Sequence, residues 1–204
     1  MNIAVQGNDQ SFNELTKGNE SIHWTRIDSL ENKEQYDHAD AIFLLNNEIE
    51  LPTSFNPAVP VFINSVSKTL DEYKSPYSVI RINGWNGFLQ RDTWEISGET
   101  NEQVKNILDA IQKKYILVPD EPGFISARVI AMIINEAFLA KAEQVSTEQE
   151  IDIAMKLGTN YPYGPFEWGR MIGIAHVYAL LKKLSASNEL YTPSTLLEQE
   201  ATNT

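Results

Sequence analysis

Apolar residues fall along this chain in two different rhythms. Up to about residue 118 they form short blocks broken by Gly, Pro, Asn and Asp, and beyond Pro122 they recur at helical spacing over long stretches. In the first part, residues 3–7 read as an apolar strand running into a turn, and residues 22–28 as an alternating second strand. Residues 41–45 and 60–64 are unbroken apolar runs of the kind buried on both faces of a parallel sheet. Residues 78–82 form a further strand and residues 115–118 close the series. Residues 11–16 and 68–73 read as short crossover helices, and 101–114 as a fuller one with Val104, Ile107, Leu108 and Ile111 on one face. Strands alternating with helices predict an α/β fold, a small doubly wound parallel sheet with lean crossovers.

The second part predicts helices only. Residues 123–144 carry Ile125, Val129, Met132, Ile133, Ala137 and Phe138 at helical intervals. Residues 146–158 open on the capping pattern Ser146-Thr147-Glu148-Gln149 and run to Gly158, a helix stop. Residues 165–183 form one or two helices interrupted near Gly173, and 194–200 a short last one. The expected organisation is an α/β domain over 1–118 and an all-α domain over 119–204.

Composition narrows the function classes. The chain has 204 residues, a formal charge of −12 and no cysteine. Without cysteine there is no disulfide framework, thiolate metal site or thiol nucleophile. The acidic balance opposes nucleic-acid backbones and anionic membranes, and the basic pairs Lys113-Lys114 and Lys182-Lys183 are too short to reverse it locally. The amino-terminal stretch lacks the basic flank and apolar run of a secretion signal, and no apolar run is long enough to span a bilayer. A soluble, cytoplasmic protein is expected.

Candidate chemistry is sparse. Gly7 after the first strand, with Asp28 at the end of the second, outlines a dinucleotide site in which the turn cradles pyrophosphate and the acid holds a ribose hydroxyl. The turn reads GNDQSF, with Asp9 where a glycine would let phosphate approach and Phe12 where another would let helix and strand pack, so an unliganded strand-turn-helix is the favoured reading. His23, His38 and His176 stand in a strand, a loop and a helix, without metal-ligand spacing. Ser65 and Ser67 follow an apolar strand, where they suit either a ligand at the sheet edge or a helix cap. Glu95 in TWEIS reads as a surface acid unless it points inward. The turn Tyr161-Pro162-Tyr163-Gly164-Pro165-Phe166-Glu167 is rigid and sets Glu167 in a first helical turn. Trp85, Trp94, Tyr161 and Tyr163 read as core before they read as walls of a ligand crevice.

Four motifs in order resemble the C-terminal domain of the 3-hydroxyacyl-CoA dehydrogenases. They are Asp120-Glu121-Pro122-Gly123-Phe124-Ile125 with Arg128, Asn135-Glu136-Ala137, Asp152-Ile153-Ala154-Met155-Lys156-Leu157-Gly158, and the aromatic turn ending at Glu167. The resemblance implies a Rossmann-like NAD-binding domain followed by a helical domain that forms a homodimer. It also implies oxidation of the 3-hydroxyl of an acyl-CoA by a His-Glu pair. The first part is similar to that cofactor domain at Ala39-Asp40-Ala41-Ile42, at Ile63-Asn64-Ser65 and over residues 81–96.

When Glu95 is set on the family's glutamate, Asn83 falls on the catalytic histidine and Asn86 on the motif's own asparagine. Val66 then takes the place of the family's serine, with Ser65 and Ser67 on either side, and Ala127 that of its asparagine. An amide cannot accept an alcohol proton near neutral pH, and losing one general base typically costs about 10²–10⁴-fold. The stretch between Asp28 and Ala41 is also too short for the family's CoA-contacting helical hairpin. The expectation is therefore a relative with weak or lost chemistry that binds or scaffolds. The alternative is an NAD-dependent oxidoreductase with an altered substrate, using Glu95 with Ser65, Ser67 or Asn83.

Overall fold

The computed structural model describes residues 1–52, 55, 57–75 and 77–203, which form two compact units, Met1–Phe124 and Ile125–Thr204. In the first unit the strands are β1 (Asn2–Gln6), β2 (His23–Arg26), β3 (Ala41–Leu44), β4 (Val61–Asn64), β5 (Val79–Ile82), β6 (Thr93–Ser97) and β7 (Lys114–Leu117). They form one sheet in the order β2-β1-β3-β4-β5-β6-β7. The strands from β2 to β5 pair parallel, as does β6 with β7, whereas β5 and β6 pair antiparallel. That reversal departs from the all-parallel expectation. Only the short stretch 83–92 joins β5 to β6, and a parallel return needs a crossover of a dozen residues or more.

Helices α1 (Asp9–Thr16), α2 (Leu70–Tyr73) and α3 (Glu102–Ala110) complete this unit. Every residue of β3, β4 and β5 is buried, which explains why their sequences are apolar apart from Asn64 and Arg81. On one face Ile3, Val5, Phe43 and Phe62 pack with Leu15 of α1 and Val104, Ile107 and Leu108 of α3. The Phe43 and Phe62 rings stack there at 4.4 Å. On the other face Ala4, Ile42, Ile63 and Val79 are covered by Leu30, Tyr36 and Phe55, so irregular segments replace the helical layer that lean crossovers leave out.

One charged residue interrupts these apolar strands. Arg81 of β5 is fully buried, and burial pulls its guanidinium below its ordinary pKa while the neighbouring Asp120 carboxylate counters the shift. Its Nε donates to the carbonyl of Ser65 at 3.0 Å, and its remaining nitrogens reach Asp120, the Val66 carbonyl and the Glu121 carbonyl. The Phe124 ring lies 4.6 Å from the guanidinium. Asp120 also accepts the Leu70 N–H at 2.8 Å, and Gly123 donates to the Val66 carbonyl at 2.7 Å. One cation thus ties β5, the turn after β4, the start of α2 and residues 120–124 together.

The second unit holds α4 (Ser126–Ala142), α5 (Glu148–Thr159), α6 (Pro165–Ile172), α7 (Ile174–Ser185) and α8 (Thr195–Thr202). Gly173, at φ 98°, separates α6 from α7 where the interruption was expected. Three expectations shift. Helix α4 turns Ala127, Ile130, Ala131, Ile134 and Phe138 inward, leaving Ile125 and Val129 exposed. The capping pair of α5 is Thr147 with Glu150, one residue later than the pattern suggested. Gly158 lies inside α5, which stops at left-handed Asn160 because an Asn side chain tolerates φ 56°.

Asp120→Ala is expected to cost about 3–5 kcal/mol of stability, because it leaves a desolvated guanidinium without its counter-charge. A urea titration checks this, and a loss below 1 kcal/mol would remove Arg81 from its central place.

Candidate functional site

In a doubly wound sheet, ligands bind beyond the carboxyl ends of the strands where the strand order reverses. Here that point lies between β1 and β3, at Gly7 and Leu45. A Cβ on Gly7 would sit 2.6 Å from Ser11 Oγ and 3.0 Å from Leu45 Cβ, so this glycine is required for close packing of α1 against β3. Asn64, at the end of β4, donates from its amide to the Leu45 carbonyl at 3.1 Å and accepts the Gly84 N–H at 3.0 Å. Its backbone carbonyl accepts the N–H of Glu48, a residue held in left-handed geometry at φ 50°. The Glu48 carboxylate in turn accepts the N–H groups of Ser67 and Lys68 at 2.9 and 3.2 Å. The ends of β3, β4 and β5 are therefore cross-linked into one polar edge.

The first helical turn of α1 satisfies itself. Asn8 is its cap and accepts the Ser11 N–H at 2.8 Å, using a donor that could otherwise reach a phosphate. Asp9 stands exposed in the same turn and pairs with Arg26 at 2.6 Å. Phe12 lies under the Arg26 guanidinium at 4.1 Å and packs against the core, where a third glycine was looked for. Asp28 is exposed beyond β2, and its carboxylate accepts from Gln35 at 3.1 Å. Gly7 and Asp28 thus lie beyond the ends of adjacent parallel strands, as a dinucleotide site requires. The first helical turn, with a carboxylate in it and its N3 donor already taken, fits a pyrophosphate poorly.

The remaining sequence candidates occupy β4, β5, β6 and their turns. Asn83 follows β5 almost wholly buried, and its side-chain oxygen accepts the Trp85 N–H at 3.3 Å. Glu95 lies in β6 between Trp94 and Ile96, both buried in the core, so its carboxylate is directed to the opposite sheet face. Glu95 acts electrostatically on Arg91, whose pKa burial draws down. Ser65 Oγ donates to the Lys68 carbonyl at 2.7 Å, and Ser67 is buried beside it. Thr69 rather than either serine caps α2. Val66 is fully buried, as is Ala127 at the start of α4. Trp85 and Trp94 are buried in the first unit, while Tyr161 and Tyr163 pack on Trp168 at 5.3 and 6.2 Å in the second. His23 and His38 line a cavity of about 330 Å³ at the amino ends of β1 and β2, on the other side of the sheet from the polar edge. Among the described residues no group of three or more His, Asp or Glu is placed to hold a metal ion.

In the second unit the aromatic turn is organised by Asp152 of α5. Its buried carboxylate accepts the N–H groups of Phe166 and Glu167 at 2.8 and 3.2 Å, capping α6 from a neighbouring helix. Gly164 is required there, since a Cβ would sit 2.3 Å from Asp152 Oδ1. Around it Lys141 pairs with Glu148, Lys156 with Glu167 at 2.5 Å, and Arg170 with Glu148 at 3.0 Å. Hydrogen bonds from Lys141 and from Lys156 hold the Glu148 and Glu167 carboxyls below their ordinary values. The outward face of α4 and the facing side of α5 form an apolar groove of about 610 Å³, floored by Met132, Ile133, Ala137 and Met155 and edged by Arg128 and Glu136.

Sequence reading gives no individual role to Arg81, Asn64, Glu48 or Asp152. Arg81 left the clearest signal, a charge inside the apolar strand Val-Ile-Arg-Ile that demands a buried partner. For Glu48 and Asn64 no local signal exists, because their partners are 19 residues or more away.

Comparison with known proteins places these features. The family profile described as "3-hydroxyacyl-CoA dehydrogenase, C-terminal domain" matches residues 123–203. The 3-hydroxyadipyl-CoA dehydrogenase of Escherichia coli (strain K12) is 45% identical over 91 residues, which are 44% of this chain and 19% of that protein. The 3-hydroxybutyryl-CoA dehydrogenase of Clostridioides difficile is 34% identical over 134 residues, 63% of this chain and 46% of that one. The chain thus spans less than half the length of these curated relatives. Among solved structures, 3-hydroxybutyryl-CoA dehydrogenase from Escherichia coli K12 aligns with a TM-score of 0.60 and 32% identity over 71% of this chain and 32% of that one. An (S)-3-hydroxybutyryl-CoA dehydrogenase from Ralstonia eutropha aligns with a TM-score of 0.72 over 99% of this chain and 93% of that one, and at 17% identity it speaks for the fold alone. The architecture of a reduced Rossmann-like sheet followed by a helical domain is accordingly the one these dehydrogenases share. No helix among the described residues is long and apolar enough to cross a membrane.

The depressed carboxyls of Glu148 and Glu167 make a pH prediction. Their protons bind more tightly in the unfolded chain, so their stabilising effect is present above the ordinary value of 4.5 and is lost as pH falls through their lowered values. Melting temperature is expected to drop as pH falls below about 4.5, and Lys141→Met should shrink that drop. An unchanged acid profile in Lys141→Met would count against the network.

Proposed function

Residues 123–203 match the profile of the 3-hydroxyacyl-CoA dehydrogenase C-terminal domain, and we propose that the chain is a binding or scaffolding relative of that family whose dehydrogenase chemistry is weak or lost. The observation that carries this reading is Asn83, which the resemblance sets on the family's histidine and which is buried just after β5, its amide oxygen engaged by the Trp85 N–H. Removing the proton of a secondary alcohol as its hydride leaves needs a base with a pKa near the working pH, and an amide has none. Val66 adds support, since a fully buried isopropyl group offers no hydrogen bond at the serine's position.

NAD is the cofactor that the resemblance suggests, and acyl-CoA the ligand. The Asn8 cap and the Asp9 carboxylate argue for weak dinucleotide binding, because the first would compete with a phosphate and the second would repel it. In this reading the helical unit is the retained working part, and a second copy of the chain covers the apolar groove on α4 and α5. Arg128 and Glu136 carry opposite charges on its edges, so two copies related by a two-fold axis can match them.

Glu95 in β6 favours a second reading, an oxidoreductase with an altered substrate, since the resemblance sets its carboxylate on the family's glutamate. NADH absorbance with acetoacetyl-CoA and a panel of 3-oxoacyl thioesters separates the two. The expected outcome is no consumption above blank and no melting shift with NADH, as mass action gives for a ligand that does not bind the native state. Turnover that falls in Glu95→Gln would establish the second reading instead. The helical contact is tested by sedimentation, where Val129→Glu on the exposed groove side is expected to halve the mass.

A further inference from the structure

Residues 83–92, which join β5 to β6, hold both Asn-Gly pairs of this chain, Asn83-Gly84 and Asn86-Gly87. An asparagine before a glycine carries its own nucleophile. The glycine nitrogen can attack the asparagine side-chain carbonyl, and a residue without Cβ crowds that ring closure least. The fold treats the two pairs differently. Gly84 is buried, its N–H donates to Asn64 Oδ1 at 3.0 Å, and a Cβ there would sit 2.7 Å from Asn64 Cγ. Asn83 is buried as well, and its Oδ1 accepts the Trp85 N–H at 3.3 Å. That pair is locked inside the first unit.

Asn86 and Gly87 are the central residues of a turn closed by the Phe88 N–H on the Trp85 carbonyl at 2.9 Å, and both are half-buried. Gly87 stands at φ 86°, left-handed geometry that glycine adopts without strain, so the turn keeps its glycine and with it the reactive pair. The Gly87 N–H is held by a side chain 73 positions away, Glu14 of α1, whose two carboxylate oxygens both lie at 2.9 Å. A hydrogen bond to a charged acceptor is among the stronger ones, and a carboxylate facing the nitrogen also opposes removal of its proton.

We infer that Asn86 is a modification site, converting spontaneously to aspartate and isoaspartate, with Glu14 as its guard. The Gly87 nitrogen forms a bond to Asn86 Cγ, the bond from Cγ to the amide nitrogen breaks, and ammonia leaves with the proton that Gly87 carried. Water then opens the cyclic imide at either carbonyl. One opening gives aspartate, and the other gives isoaspartate, in which the backbone runs through the former side chain. Gly87 must leave Glu14 before the ring closes, so local opening of this contact sets the rate. Either product adds a negative charge one residue from the amide that Glu14 holds, which opposes the return of the contact between α1 and the turn.

The inference depends neither on the loss of catalysis nor on the helical groove. Peptide mapping by mass spectrometry, after the full chain is held at mildly alkaline pH and body temperature, reads the conversion at each asparagine from the mass gained when an amide becomes an acid. In the folded chain Asn86 is expected to convert faster than Asn83, and in urea, where neither contact exists, the two convert at comparable rates. Glu14→Ala is expected to speed Asn86 about tenfold and leave Asn83 unchanged. Glu14→Gln, which keeps an acceptor without the charge, is expected to speed it less. An unchanged or slower rate at Asn86 in Glu14→Ala, or Asn83 converting as fast as Asn86 in the folded chain, would overturn the assignment. Circular dichroism of each variant shows that a faster rate does not come from global unfolding.

Discussion

A guanidinium without water must be surrounded by oxygen, and Arg81 arranges much of the first unit to that end. Its donors are met by the Asp120 carboxylate and by carbonyls of the turn after β4 and of residue 121. A buried charge is stable only when its counter-ion and its remaining hydrogen bonds are all in place. This is why Asp120, 39 positions away in sequence, meets it. It also gives a physical account of Asp-Glu-Pro-Gly-Phe: Asp120 neutralises, the Glu121 carbonyl accepts, Gly123 bonds to Val66 and the Phe124 ring covers the cation.

The turn held by Arg81 belongs to the same polar edge as Asn64, Glu48 and Asn83. Side chains that could face a ligand there are spent on one another: Asn64 joins Leu45 to Gly84, Glu48 holds Ser67 and Lys68, and Asn8 closes the first turn of α1. Each bond satisfies a buried or terminal polar group that would otherwise cost free energy. An edge saturated in this way is rigid and self-contained.

The helical unit solves a related problem with a carboxylate. Asp152 caps α6 from α5 and ties the aromatic turn to the helix before it, while Lys141, Glu148, Arg170, Lys156 and Glu167 form a charged belt around it. With this side fastened, the facing sides of α4 and α5 keep an apolar groove.

The order of strands and helices was legible along the chain except for β6, which was not read as a strand, because unbroken apolar runs and helical spacing follow directly from burial on two faces or on one. So were the break at Gly173, the reach of Glu167 into a first helical turn, and the helical domain, whose motifs are compact in sequence. Pattern alone did not reveal the antiparallel turn of β6, which depends on connection length, or the inward face of α4, where apolar residues lie all round and only packing chooses a side. Gly7 could be read as a phosphate turn or as close packing until Ser11 and Leu45 were placed against it. Periodicity is local and survives in one dimension. The partners of Arg81, Asn64, Glu48 and Asp152 are long-range, and only a folded chain brings such groups within bonding distance.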